Sequence, residues 1–244
     1  MAKDRDILAE AREAFERAAA AESSNRAEAR DDLRFARLGE QWDPAIANRR
    51  RLDGRPCLTI NRLPTFIRQV VNDSRLNKPQ IKVRPADNTA DPQTAEILTG
   101  LIRNIEQSSH ADVAYDTAAD FAASMGFGYF RIGVEYAYDD TFDKDIQIQR
   151  IANPFSVYGD PDSTAADSCD WNLAFVVEAL RKSEFEARFK GAEKSDWHGY
   201  DSLPSPWRGD DTVQVAEYWT REKVARAIVL LSDKSVLAAD AYAK

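Results

Sequence analysis

The sequence contains few of the side chains that metal centres and thiol chemistry require: two cysteines and two histidines among 244 residues. Cys57 and Cys169 lie far apart and match no Cys-x-x-Cys spacing, which structural zinc sites normally show. A zinc site with His110 and His198 needs four scattered residues to converge. We therefore expect two reduced thiols and no bound metal or other cofactor.

Long apolar runs are absent as well. No stretch of about 18 apolar residues is present to cross a membrane. The charged start, Met1–Asp6, is followed by no apolar segment of the kind that a secretory signal contains. These two absences predict a cytosolic product with no membrane contact.

Sequence motifs of common enzymes are also lacking. The glycines of Met125-Gly126-Phe127-Gly128 join a predicted helix to a predicted strand, which is the reverse of the order in a phosphate-binding loop. There is no Gly-x-Ser-x-Gly motif, and a nucleophile–base pair would need distant residues to meet. The sequence thus predicts a protein that is not an enzyme.

The formal net charge is -8, and it is unevenly distributed. Residues 1–51 contain eleven basic and eleven acidic residues, whereas residues 139–171 contain eight aspartates against Lys144 and Arg150. A classical nucleic-acid binder needs a basic surface for phosphate contacts. DNA can pass such an acidic surface, but we do not expect it to be held there.

Four aspartates between residues 160 and 170 form the most conspicuous chemical candidate. Asp160, Asp162, Asp167 and Asp170 lie close enough in sequence to supply oxygen ligands for Mg²⁺ or Ca²⁺. The segment lacks the ligand spacing of an EF-hand, and Asp-Pro and Asp-Ser are common turn formers. We favour turn formation; the alternative is a metal-dependent phosphodiesterase that uses these carboxylates.

Hydrophobic periodicity predicts an α+β fold, with helices first and mostly antiparallel strands after them. We place an arm of two helices and a linker at residues 1–52, with the helices interrupted at Ser23–Asn25 and residues 41–60 irregular. The α+β region then spans 53–244. It contains helices from Asn61, from Asp91-Pro92 and over 111–125, a short strand at 80–84, and a hairpin at 130–150. Further strands are predicted at 155–158, 173–180, 212–219 and 225–231, with a short helix near 183–189 and a loop at 193–211.

Two of these helices have apolar faces that we expect to lie in the core. One face contains Phe66 and Val70, and the other contains Leu98 and Leu101. The helix over 111–125 presents small residues, which would allow close approach of its neighbour.

A basic run and several tryptophans are the candidate contact residues. Arg49, Arg50 and Arg51 lie on a solvated face or else contact a phosphate backbone or an acidic neighbouring subunit. Trp42, Trp197 and Trp207 are candidates for an oligomer interface, although large aromatic residues are as often part of a core.

Several segments together resemble the portal proteins of short-tailed bacteriophages. The first runs from Asn61-Arg62-Leu63-Pro64 to Asn77–Pro85, with its Ile-x-Val pattern. The second, Gly126-Phe127-Gly128 before Tyr129–Ile132, is similar to the helix-to-strand junction of that family. The third is Asn153–Pro161 followed by Ser168-Cys169-Asp170. The likeness extends over about residues 55–231.

This resemblance implies a structural virion protein that is assembled in the host cytoplasm. Portal subunits form a dodecameric ring at one capsid vertex, and double-stranded DNA passes through it non-specifically during packaging and ejection. The implied partners are further copies of the subunit, the terminase, the capsid and tail adaptor proteins. Family members continue into stem and clip regions, so the resemblance implies a wing-like region truncated before them. Another head–tail connector protein is a further alternative.

Overall fold

In a computed structural model, the chain forms helices followed mainly by strands. The structure describes residues 2–78, 80–87, 90–165, 167–192, 212–225, 227–230 and 236–238. The helices are α1 (Ala2–Leu33), which a π-helical turn (Arg34–Leu38) extends, α2 (Pro44–Leu52), α3 (Leu63–Leu76), α4 (Pro92–Ser108), α5 (Ala111–Met125) and α6 (Lys182–Arg188). The strands are β1 (Phe130–Tyr136), β2 (Lys144–Arg150), β3 (Val157–Tyr158), β4 (Leu173–Arg181), β5 (Thr212–Thr220), β6 (Ile228–Leu230) and β7 (Val236–Ala238). The predicted α+β class is confirmed.

The strands form three small sheets. β1 and β2 make the predicted antiparallel hairpin, with Ile132 opposite Ile148. The second sheet has the order β3-β4-β5, in which β4 and β5 are antiparallel, and β6 pairs with β7 in the third. The predicted loop at 193–211 lies outside the described residues.

The predicted break in the first helix is wrong, because α1 runs through Ser23–Asn25 without interruption. The Ser23 hydroxyl donates to the carbonyl oxygen of Ala20 at 2.9 Å. Glu22 and Arg26 span the same turn, with 2.7 Å between Arg26 Nε and Glu22 Oε2. These polar side chains bond along the helix and so do not terminate it.

Two local predictions between residues 41 and 84 are also corrected. Residues 44–52 form α2, because the Asp43 carboxylate accepts from the backbone N–H groups of Ala45 and Ile46 and Pro44 occupies the first turn. Residues 80–84 form no strand: among the described residues they have no strand partner, and the Val83 N–H donates to Thr99 Oγ1 at 3.1 Å instead.

Tertiary contacts divide the chain into two compact units. The described residues up to Ala18 and from Tyr158 onward form the first unit, whose core is aromatic. The Phe15 ring lies 4.6 Å from Tyr158 and 5.0 Å from Phe175, and Phe175 stacks on Tyr218 at 4.7 Å between centroids. Phe15 and Phe175 are almost completely buried, so they are the centre of this core.

Residues 19–157 form the second unit, which has two apolar clusters. Ala29, Met125 and Phe155 form one cluster, and Ala111, Ala114 and Ile148 form the other. The small residues of α5 allow close approach of the preceding helix, as predicted, since Ile105 of α4 packs against the cluster that contains Ala111 and Ala114. The predicted division of the chain at residue 52 stays a prediction.

The two predicted helical core faces are exposed instead of buried. Phe66 on α3 is 61% exposed and Leu101 on α4 is 50% exposed. Both helices are amphipathic as predicted, but Phe66, Val70, Leu98 and Leu101 each keep 42% or more of their surface exposed. A charge substituted at Phe66 or Leu101 would therefore stay in contact with water in the isolated chain.

The described part of the chain contains no helix with both the length and the apolarity needed to cross a membrane.

Candidate functional site

The acidic segment at residues 160–170 is a hydrogen-bonded loop in which the first carboxylate belongs to the protein interior. Asp160 follows β3 and is buried. Its Oδ1 accepts from the Asp162 N–H at 3.0 Å, and its Oδ2 accepts from the N–H of Asn172 at 2.9 Å and from Asn172 Nδ2 at 3.3 Å. Asp160 therefore joins the start of the loop to its end.

Asp170 organises the middle of the same loop. Its Oδ1 accepts from the Ser163 hydroxyl at 2.7 Å. Its Oδ2 accepts from the N–H groups of Thr164 at 2.7 Å and Ala165 at 3.0 Å, and from Thr164 Oγ1 at 3.3 Å. The carboxylate thus replaces the backbone acceptors that this irregular segment lacks.

These hydrogen bonds stabilise the ionised carboxylates. The pKa of Asp170 lies well below its usual range, first because Ser163 donates to it and then because backbone N–H groups do. Burial opposes ionisation of Asp160, but hydrogen bonds from Asn172 and Asp162 outweigh it and lower the pKa of that carboxyl.

The hydrogen-bond donors around Asp160 and Asp170 determine whether this loop can bind a cation. Protein donors occupy both oxygens of Asp160 and of Asp170, so neither side chain presents a free oxygen pair to a cation. Within the described residues, no group of three or more Asp, Glu, His or Cys side chains is arranged to hold a metal ion. The geometry supports turn formation and gives the phosphodiesterase alternative no support.

Replacing Asp170 with Asn should lower the stability of the chain at neutral pH, and the deficit should shrink in acid. A carboxyl whose folded-state pKa is depressed stabilises the fold above its unfolded pKa of about 4, and that contribution is lost as the pH falls through the folded value. Urea midpoints at pH 7 and near pH 3 test this. The matched control is Asp162→Asn, an exposed carboxylate of the same loop. Deficits that are equal at both pH values, or equal in the control, would contradict the assigned role.

The arginine run lies at the C-terminal end of α2. Arg49 and Arg51 are exposed. Arg50 turns inward: its Nη2 donates to the carbonyl oxygen of Pro56 at 2.9 Å, and its guanidinium lies over the Trp42 ring, 5.0 Å from the centroid. The three arginines therefore divide into two exposed side chains and one that supports the local fold. Their contact with DNA or with a neighbouring subunit stays a prediction.

Trp42 is half-buried beside α2 and donates through Nε1 to the carbonyl oxygen of Leu58 at 3.3 Å. This contact holds the segment after α2 against the start of the helix. Trp197 and Trp207 lie outside the described residues. The prediction that these tryptophans form an oligomer interface therefore remains untested.

Sequence reasoning missed a buried arginine that joins distant segments. Arg26 on α1 donates through Nη1 to the carbonyl oxygen of Phe155 at 2.7 Å and through Nη2 to that of Val157. Its Nε contacts Glu22, so the guanidinium is bonded on each side. The four-residue spacing of Glu22 and Arg26 predicts an ion pair along the helix. It gives no indication of carbonyl acceptors some 130 residues away.

A second partly buried polar side chain, Tyr129, lies near Arg26. Nearby Tyr129 has its pKa raised to about 12, chiefly by burial and further by the negative charge of Glu22. The phenol beside the Glu22–Arg26 pair therefore ionises only at more alkaline pH than an ordinary tyrosine does.

Two glycines in the segments that carry the family resemblance are required by close packing. A Cβ atom on Gly128 would overlap the carbonyl oxygen of Ala118 and lie 2.8 Å from its carbonyl carbon. A Cβ atom on Gly159 would meet the Trp171 ring, 2.7 Å from Cη2 and 2.8 Å from Cε2. The Gly-Phe-Gly and Tyr-Gly-Asp-Pro segments therefore mark places where the backbone passes directly against another element.

Two comparisons with known proteins both match the chain to portal proteins. The family model described as phage P22-like portal protein matches residues 12–244. A curated relative named "Portal protein", from Acyrthosiphon pisum secondary endosymbiont phage 1, is 29% identical over 225 residues. That alignment covers 88% of this chain and 31% of the relative, so the chain spans about a third of the relative's length.

Proposed function

We propose that this chain, which belongs to the phage P22-like portal protein family, is a structural subunit of the ring at one capsid vertex of a phage. In this role it forms part of the conduit through which double-stranded DNA enters and leaves the capsid. The observation that carries the proposal is the family match over residues 12–244.

Exposed apolar side chains on several elements support a subunit role. Phe66, Leu101 and Ile132, on α3, α4 and β1, are each at least half exposed. Large exposed apolar surfaces mark sites of protein association. A subunit surrounded by copies of itself and by other virion proteins would cover such faces.

The proposed partners are further copies of the subunit, the terminase, the capsid and tail adaptor proteins, with assembly in the host cytoplasm. We place the described residues in the wing-like part of the subunit, with residues 1–52 as its arm. The contacts made by stem and clip regions would come from sequence beyond the part of the relative that this chain matches.

The proposed role needs no catalysis and no cofactor. A conduit requires a surface that DNA passes without being held, and a net charge of -8 with eight aspartates in residues 139–171 suits that requirement. The hydrogen-bonded carboxylates of the 160–170 loop are consistent with a structural use of its acidic residues.

Self-association of the 244-residue chain tests the proposal. Native mass spectrometry and sedimentation across a protein concentration series should show homo-oligomers larger than a dimer, because ring subunits contact a neighbour on each side. A chain that stays monomeric up to roughly 100 µM, a concentration that reveals even weak interfaces, would contradict a ring subunit.

A second arm of the same experiment adds a double-stranded DNA fragment. Binding should be weak and without sequence preference, and it should fall steeply with salt. Submicromolar affinity at physiological salt, or discrimination between sequences, would exclude the conduit role and indicate a DNA-binding regulator.

A further inference from the structure

The tip of the β1–β2 hairpin presents acidic and aromatic side chains together. Asp139, Asp140 and Asp143 are exposed, Tyr138 is exposed, and Phe142 is 94% exposed. We call these five residues the acidic tip. Across the described part of the chain, no Lys or Arg forms an ion pair with its three carboxylates.

The acidic tip has a defined backbone. The Ala137 N–H donates to the carbonyl oxygen of Asp143 at 2.9 Å, which closes the turn where β1 ends. The Asp143 N–H donates to Thr141 Oγ1 at 3.1 Å. The exposed aromatic rings are therefore presented on an ordered turn, which lowers the entropy cost of binding.

A surface with the opposite charge lies on α2. Ile46, Arg49 and Leu52 are spaced by three residues and so share one face of the helix. All three are exposed, and Leu52 is 87% exposed. Arg51 and Arg55 add further positive charge nearby, against two acids, Asp43 at the N-cap of α2 and Asp53 after its end.

The segment after α2 extends this surface with two apolar side chains. Leu58 and Ile60 alternate along an extended backbone, and Ile60 is 80% exposed. Between them and α2, Cys57 turns toward the helix, with Sγ 4.0 Å from the carbonyl oxygen of Ala47. We call Ile46, Arg49, Leu52, Leu58 and Ile60 the basic apolar patch.

We infer that the acidic tip of one copy of this chain binds the basic apolar patch of the next copy. This inference rests on the proposed function and adds the two surfaces that meet. The surfaces are opposite in charge, and each combines charge with large exposed apolar side chains, as the contact regions of protein interfaces do. Phe142 and Leu52, which are almost fully exposed, would be covered by this contact.

Two different surfaces give a heterologous contact, which leaves each copy with a free tip and a free patch. Repeating such a contact builds a ring where the rotation between copies closes and an open helical assembly where it does not, whereas a symmetric contact between like surfaces stops at a dimer. Within one chain, none of the hydrogen bonds or ion pairs between described residues joins the tip to the patch. Both surfaces therefore remain available to a neighbour.

Cross-linking of two single-cysteine variants tests the inference on the complete chain. Cys169→Ser keeps Cys57, which is exposed beside the patch. The second variant combines Cys57→Ser, Cys169→Ser and Asp140→Cys, which puts its thiol in the tip. With a short bis-maleimide and a size tag on one variant, the mixed dimer should form in preference to either self-linked dimer.

Control variants distinguish this contact from random collision. Glu96→Cys in place of Asp140→Cys puts the thiol at another exposed acidic position, on α4. Its mixed adduct should be about tenfold weaker. Arg49→Glu with Arg51→Glu should reduce the tip adduct about tenfold, and Asp139→Lys with Asp143→Lys in the other variant should restore it.

The possible outcomes separate this inference from the proposed function. A tip adduct no stronger than the Glu96→Cys adduct, in a wild-type chain that does form oligomers, overturns the paired surfaces and leaves the ring role intact. A predominance of dimers linked through identical positions overturns the heterologous contact. A wild-type chain that is monomeric in native mass spectrometry overturns both.

Discussion

Replacing Gly128 with alanine is expected to lower the stability of the second unit against urea strongly. The added Cβ atom would overlap the carbonyl oxygen of Ala118 and lie 3.0 Å from its Cα. These are backbone atoms in the middle of α5, so no side chain can rotate away to make room. The junction between α5 and β1 would have to open, at a cost of about 3 kcal/mol or more.

Urea denaturation followed by circular dichroism measures this effect, with Gly100→Ala as the matched control. A Cβ atom on Gly100 in α4 meets nothing within 4 Å. Alanine there should be neutral or stabilising by up to about 1 kcal/mol, because it favours the helix. Similar midpoints for the two variants would show that the close approach at Gly128 is not tight.

Replacing Arg26 with methionine is expected to cause the second large loss of stability. Its guanidinium donates to the carbonyl oxygens of Phe155 and Val157 and pairs with Glu22. Methionine keeps much of the length but leaves these acceptors without a donor in a buried place. Removing one partner from a buried charged network costs about 3–5 kcal/mol.

Arg34→Met is the control for Arg26→Met. Arg34 also forms ion pairs, with Asp31 and Glu40, but its side chain is exposed to water. Exposed pairs contribute roughly 0–1 kcal/mol, so this variant should melt close to the wild-type chain. Arg26→Lys should retain only part of the stability, since one ammonium group does not reproduce the planar fork that reaches both carbonyls. Equal losses for Arg26→Met and Arg34→Met would contradict the buried anchor.

Local signals predicted many elements correctly. Asp91-Pro92 marks the start of α4, where the Asp91 carboxylate accepts from the N–H groups of Gln93 and Thr94. The alternating residues of 130–150 predicted the antiparallel hairpin correctly. The same rule, applied to Asp43-Pro44, would have predicted α2, because the Asp43 carboxylate caps that helix in the same way.

Other elements show where local signals were insufficient. Ser23-Ser24-Asn25 has the composition of a helix end, yet the helix continues because Ser23 bonds back to Ala20 and Arg26 pairs with Glu22. The apolar faces with Phe66 and Leu101 were visible as patterns, but burial depends on what packs against a face. In this chain Phe66 and Leu101 keep half or more of their surface exposed, and we propose that neighbouring protein covers them.

The candidate site residues also divide into those whose structure local sequence predicts and those whose structure it does not. The acidic loop was correctly expected to form turns, because its start is closed by local bonds: the Asp162 N–H donates to the Asp160 carboxylate and the Ser163 N–H to the Asp160 carbonyl oxygen. That Arg50 turns inward while Arg49 stays exposed could not be predicted, since it depends on the positions of Trp42 before α2 and Pro56 after it, both of which contact the Arg50 guanidinium.

The sequence by itself determined the α+β class, most helix starts, the hairpin and the family resemblance, because capping, periodicity and motif order act over short separations. Only the tertiary structure decided why Gly128 must be glycine and why Arg26 is buried. The first depends on the path of α5 ten residues earlier, and the second on carbonyl groups some 130 residues later. The burial of a side chain depends on the atoms that surround it in three dimensions. Short-range sequence patterns do not indicate which distant backbone atoms these are.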